Sequence, residues 1–81
     1  MKLAVQLYAR ARELAGQDRV ELDLDEPVLV GDVRQALAST VPDLAPLAPG
    51  LLIAVGTDYA DDGIVVSDGK TVACFPPVSG G

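Results

Sequence analysis

The stretch Lys2-Leu3-Ala4-Val5-Gln6-Leu7-Tyr8 alternates between two kinds of position, and Arg19-Val20-Glu21-Leu22-Asp23-Leu24-Asp25 repeats the alternation more cleanly. A period of two is what a strand with one buried face requires, because successive side chains point to opposite faces of a sheet. Leu3, Val5 and Leu7 therefore face a core, as do Val20, Leu22 and Leu24, while Glu21, Asp23 and Asp25 face water. Residues 9–15 between the runs are good helix formers, and Gly16 stands where a left-handed cap would end them. A short helix joins two strands that should pair.

Further along, residues 31–41 change period. Val33, Leu37 and Val41 fall at i, i+4 spacing, with Ala36 and Thr40 widening the stripe, which predicts the main helix. Asp32 suits the positive end of the helix dipole, Val30 is a poor N-cap, and Pro42 disfavours helical geometry in the residue before it. Residues 43–50, rich in Pro, read as a loop or distorted turn. The apolar run 51–55 predicts a strand buried on both faces. Residues 56–63 are turn-rich, and Tyr59 within them takes no assignment. Residues 64–66 read as a short strand, Ser67-Asp68-Gly69 as a turn and residues 70–75 as the last strand. This order predicts an α+β domain over residues 1–75, with one main helix across one face of a mixed sheet and the first and last strands side by side at its centre.

Eighty-one residues, 49% apolar, suffice for one core, and with one Phe, two Tyr and no Trp that core is built from Leu, Val, Ile and Ala. Six basic against 12 acidic residues give a net charge of -6, which repels phosphate backbones and anionic headgroups. The expectation is no nucleic acid and no membrane, but a protein partner with a basic face. One Cys and no His remove the intramolecular disulfide, nearly every zinc site and every Ser-His or Cys-His nucleophile. No metal site and no catalysis by the isolated chain are expected. The N-terminal run alternates instead of being continuously apolar, unlike a signal peptide or membrane span, so a cytoplasmic location is the expectation.

Residues 76–81 read Pro76-Pro77-Val78-Ser79-Gly80-Gly81. Such an ending is either a frayed terminus or a device. Gly80 and Gly81 carry no Cβ and suit a narrow channel, while Pro76 and Pro77 hold the chain extended and keep its tip off the body. A carboxylate presented in this way becomes reactive once activated, for instance by adenylylation, after which a sulfur nucleophile can displace the nucleotide.

The segment Asp68-Gly69-Lys70-Thr71-Val72-Ala73-Cys74-Phe75-Pro76-Pro77-Val78-Ser79-Gly80-Gly81 resembles the C-terminal signature of the molybdopterin synthase small-subunit family, within the MoaD/ThiS group of ubiquitin-like sulfur carriers. Tyr8-Ala9-Arg10-Ala11-Arg12-Glu13-Leu14-Ala15-Gly16 is similar to that family's N-terminal segment. The resemblance implies a ubiquitin-like β-grasp fold and an extended tail, residues 76–81, whose Gly81 is adenylated by a ubiquitin-activating-like enzyme using ATP and Mg. A persulfide sulfur donor then converts Gly81 to a thiocarboxylate. It further implies insertion of Pro76, Pro77, Val78, Ser79 and Gly80 into the large subunit of a heterotetrameric synthase, where sulfur passes to cyclic pyranopterin monophosphate. No cofactor is expected on this chain itself. Two positions depart from the family pattern: Gly56, where relatives often carry Asn, and Cys74, where they carry a bulkier apolar residue.

Cys74 shares parity with Val72 and is expected to be a buried small hydrophobe, not a redox group. Tyr8 and Phe75 fall on the sheet face away from the helix, where an aromatic pair suits partner docking, with Arg12 as a rim contact; edge-of-core packing is the alternative. Glu21, Asp23 and Asp25 form a solvated acidic face and not a cation site. Rival functions are a sulfur carrier for thiamine thiazole synthesis, a ubiquitin-like protein modifier joined through Gly81, and a non-covalent adaptor that needs no tail.

Overall fold

The computed structural model describes residues 1–77. It contains β1 (Lys2–Leu7), α1 (Ala9–Ala15), β2 (Arg19–Asp23), α2 (Val30–Thr40), 3-10 turns at Pro42–Leu44 and Ala48–Gly50, β3 (Leu52–Val55), β4 (Asp58–Tyr59) and β5 (Val72–Phe75). The strands form one mixed sheet in the order β2-β1-β5-β3-β4. β1 runs antiparallel to β2, with Val5 opposite Val20, and parallel to β5, with Val5 beside Val72 and Leu7 beside Cys74. β5 runs antiparallel to β3, with Leu52 opposite Phe75 and Ala54 opposite Ala73. The first and last strands are thus central neighbours, as the alternation and element order predict.

This register gathers Val5, Leu7, Val20, Leu22, Ile53, Val72 and Cys74 on one face, where Val30, Val33 and Leu37 of α2 and Ala11 of α1 cover them. Leu44, Ala48 and Leu51 close the rim. Among the described residues no polar or charged residue is buried. The core is therefore a purely apolar layer, in which each large side chain contributes about 1.5–3 kcal/mol by leaving water.

Several boundaries differ from expectation for identifiable reasons. β2 ends at Asp23; Leu24 lies beyond it, half-buried, its N–H donating to the Met1 carbonyl at 2.9 Å while the Met1 ammonium donates to the Leu24 carbonyl at 2.7 Å. α2 begins at Val30, and Leu29 occupies the N-cap position. The Asp32 carboxylate accepts the Leu29 N–H at 3.0 Å, and the carbonyls of Ile64 and Asp62 accept the N–H groups of Val30 and Gly31, both at 2.9 Å. A distant segment thus satisfies the first helical N–H groups, which the apolar Leu29 side chain at the N-cap cannot. Val41 lies outside the helix at φ -124, as Pro42 demands of its predecessor, and Thr40 is exposed instead of widening the stripe.

Residues 43–50 form the end of one 3-10 turn and the whole of another. The strand expected at 64–66 does not join the sheet. Val65 bridges Leu29, and the Val66 N–H donates to the Val28 carbonyl at 2.7 Å, so this segment packs on the approach to α2. The short strand of the sheet is β4 instead, paired with β3 across the two-residue loop Gly56-Thr57. Gly56 has φ 66, a conformation open to Gly and tolerated by Asn, which accounts for both residues suiting this position. β3 is not buried on both faces, since Leu52 points to the open side and is exposed.

Candidate functional site

The open face of the sheet carries an aromatic row. Tyr8 follows β1 directly, and its N–H donates to the Cys74 carbonyl at 3.2 Å, which sets it abreast of Phe75. The Tyr8 and Phe75 rings stack with centroids 4.8 Å apart and planes 8° from parallel. From the other side Tyr59 meets the Phe75 ring edge-on, at 6.0 Å and 80°. Tyr59 reaches Phe75 across β3, and it can do so because its pairing partner there is the small residue Ala54. Tyr8 is 44% exposed, Tyr59 67% and Leu52 37%, so the row and its aliphatic neighbour stand in water. Stacked rings of this geometry hold one another and present a rigid apolar surface.

Backbone strain helps set the row. Ala9, the first residue of α1, has φ 52, a left-handed conformation that costs a non-glycine residue about 1–2 kcal/mol. It lets the chain leave β1 extended through Tyr8 and turn at once into α1, and Gly16 at φ 71 ends that helix as expected. Arg12 lies on the exposed side of α1 and makes no ion pair among the described residues, whereas Arg10 pairs with Glu13 at 3.7 Å.

The chain leaves the sheet at the same end of β5 that carries Phe75. Pro76 is half-buried and Pro77 exposed, and a Cβ placed on Gly50 would lie 3.4 Å from the Pro77 Cγ, so the two residues are near contact. Val78, Ser79, Gly80 and Gly81 lie outside the described residues. The structure thus brings together Tyr8, Phe75 and the start of the tail, and it adds Tyr59, which the sequence reading left unassigned. The signal for Tyr59 was the Gly-first two-residue loop after an apolar run, a hairpin pattern.

Arg34, also unanticipated, braces the turn beneath this exit. Its Nη1 donates to the carbonyls of Ala48 at 2.7 Å and Leu51 at 2.6 Å, while Nε and Nη2 donate to Asp62 Oδ1 at 3.1 and 2.9 Å. With a side chain only 18% exposed it is a partly buried guanidinium held by four hydrogen bonds.

Cys74 is fully buried on the core face, as its parity with Val72 predicts. Burial pushes its thiol up from 9.0 to about 11, with the Arg34 charge pulling part of the way back. Since the thiolate is the nucleophile, this group is inert in the folded domain. Among the described residues no three His, Cys, Asp or Glu side chains converge on a metal-sized site, and no helix is long and apolar enough to cross a membrane.

The ThiS family profile matches residues 5–81. The chain is 38% identical over 81 residues to the molybdopterin synthase sulfur carrier subunit of Escherichia coli K12, a match covering 98% of this chain and 99% of the other. It is 32% identical over 80 residues to the protein of the same name from Drosophila yakuba, covering 95% and 88%. SAMP1 of Haloferax volcanii, a small archaeal modifier protein, superposes with a TM-score of 0.86 at 29% identity, over 100% of both chains. The architecture is the ubiquitin-like β-grasp.

Proposed function

The chain belongs to the ThiS family, and from that premise we propose that it is the sulfur carrier of a molybdopterin synthase, with the Gly81 carboxylate as its working group. The observation that carries the reading is the placing of the aromatic row and the chain exit at one end of one strand: Phe75 stacks on Tyr8, and Pro76-Pro77 follow immediately. Docking and delivery then share an anchor.

In the proposed cycle an adenylating partner binds the open face through Phe75, Tyr8, Tyr59 and, at the rim, Arg12. A Gly81 carboxylate oxygen attacks the α-phosphate of Mg-bound ATP and pyrophosphate leaves. The terminal sulfur of a protein persulfide attacks the acyl carbon and AMP leaves. A second thiol then takes up the S–S bond, leaving a thiocarboxylate on Gly81. The large synthase subunit next binds the same face, and Pro76, Pro77, Val78, Ser79 and Gly80 lead the loaded end to cyclic pyranopterin monophosphate, which needs two sulfurs and so two visits. Acid–base chemistry belongs to the large subunit, and ATP and Mg to the activating enzyme. This division suits a chain with no His and an inert Cys74.

The likeness to SAMP1 favours a second reading, attachment of Gly81 to target lysines. One experiment separates the two. The protein is incubated with an adenylating partner, ATP, Mg and a persulfide source, and its intact mass is measured before and after addition of the large subunit and the pterin precursor. Exchange of one terminal oxygen for sulfur, reversed by the large subunit, is the expected result. Isopeptide adducts without that exchange would establish the modifier, and no change in mass would remove both.

A further inference from the structure

We infer that Gly50, braced by Arg34, is a positioning residue that aims the tail as it leaves the domain; its bearing on sulfur loading rests on the carrier reading above. Continuing the β3–β5 register two residues past Leu52 and Phe75 brings Gly50 opposite Pro77, and Pro77 lies there. No hydrogen bond can hold that juxtaposition in the manner of a ladder. The Cys74 carbonyl faces β1, where it accepts from Tyr8, so by alternation Ala73 and Phe75 face β3, and position 77 would offer its N–H toward Gly50. Proline has no N–H to give, its carbonyl finds no donor there because the Gly50 N–H already donates to the Leu47 carbonyl at 3.0 Å, and Pro76 has no N–H on the opposite side. The β3–β5 ladder thereby stops at Phe75, and the direction of the chain at Pro77 depends on the space left by what stands opposite.

What stands opposite is a fixed turn. The Arg34 guanidinium grips the carbonyls of Ala48 and Leu51, one on each side of Pro49-Gly50, and Asp62 holds the guanidinium from behind. Having no side chain, Gly50 leaves between that turn and the Pro77 ring only enough space for a methyl group. A methyl at position 50 would just touch the Pro77 ring, whereas a branched side chain would push it outward. Gly50 does not have a positive φ, so larger residues fit its backbone. A misdirected tail loses reactivity steeply, since small displacements at a reacting centre are expensive in rate.

The test uses the full chain in two measurements. For direction, a nitroxide is placed on a Ser79→Cys substitution, the buried Cys74 staying unlabelled, and amide relaxation is mapped across the domain. For rate, thiocarboxylate formation is followed against carrier concentration with the adenylating partner. Gly50→Val is expected to move the relaxation footprint and to lower the maximal charging rate by about tenfold or more, with the half-saturating concentration unchanged because the aromatic row is intact. Gly50→Ala stays near the parent, as does Gly63→Val, where an added Cβ meets nothing within 4 Å. Adding Pro77→Ala to Gly50→Val should bring the rate back to that of Pro77→Ala alone, a coupling that general destabilisation would not produce. An unmoved footprint in Gly50→Val overturns the inference whatever the sulfur chemistry, and a moved footprint with an unchanged rate overturns its bearing on loading. If the parent protein is never charged, the carrier reading fails while the footprint still decides the aiming.

Discussion

The two faces of β5 differ in how far they are withdrawn from water. Val72 and Cys74 point inward and are wholly excluded from water, whereas Ala73 and Phe75, one step along, stay partly exposed. The inner face is stabilised by area removed from water, with no polar group to satisfy. The outer face keeps an aromatic surface in solvent and holds it flat by stacking. One four-residue strand therefore assigns stability to one side and, in the docking proposed above, recognition to the other, and substitutions should sort by parity.

The largest effect belongs to the inner face. Leu7→Ala should cost about 3 kcal/mol of unfolding free energy by urea titration, since it leaves a cavity at a fully buried position of the apolar layer; a loss under about 1 kcal/mol would break the division. Next comes the Cys74 thiol, raised in the folded state to about 11 from 9.0. The unfolded chain releases this proton first, so the thiol's contribution is complete below pH 9 and is lost as pH rises toward about 11, amounting to about 2–3 kcal/mol. Cys74→Val should remove that part of the alkaline decline when the two proteins are titrated side by side, and sulfur loading should survive the change.

On the outer face, Phe75→Ala should weaken partner binding by about 2 kcal/mol, roughly thirtyfold in Kd by calorimetry, while the domain stays folded. Unaltered affinity would reassign the aromatic row to packing. The smallest effect tests the turn into the row: Ala9→Gly relieves the left-handed strain and should raise stability by about 1 kcal/mol, read as a higher thermal midpoint.

The sequence was legible where one local rule decided the outcome. Alternation placed Val5, Leu7, Val20 and Leu22 inside, Gly16 ended α1, and the parity of Cys74 and Phe75 told the faces of β5 apart. It was opaque where the partner lay far along the chain. Residues 64–66 carry strand-like composition, yet the Ile64 carbonyl, together with that of Asp62 just before them, caps α2, and nothing near them in sequence indicates a helix that lacks an N-cap side chain. Arg34 reads as one more solvated charge on a helix until the carbonyls of Ala48 and Leu51 are brought to it by the chain's return. Tyr59 needed a register, not a propensity, because only the pairing of β4 with β3 sets it over Ala54 and onto Phe75.

Placing the chain's sole thiol in the middle of the hydrophobic layer matters for a molecule that would work among persulfides. A cysteine on the surface could be sulfurated in error, or could strip cargo from a loaded neighbour. Sealed where it is, Cys74 offers no internal sink, and sulfur handed to the acyl end has nowhere on its own domain to leak.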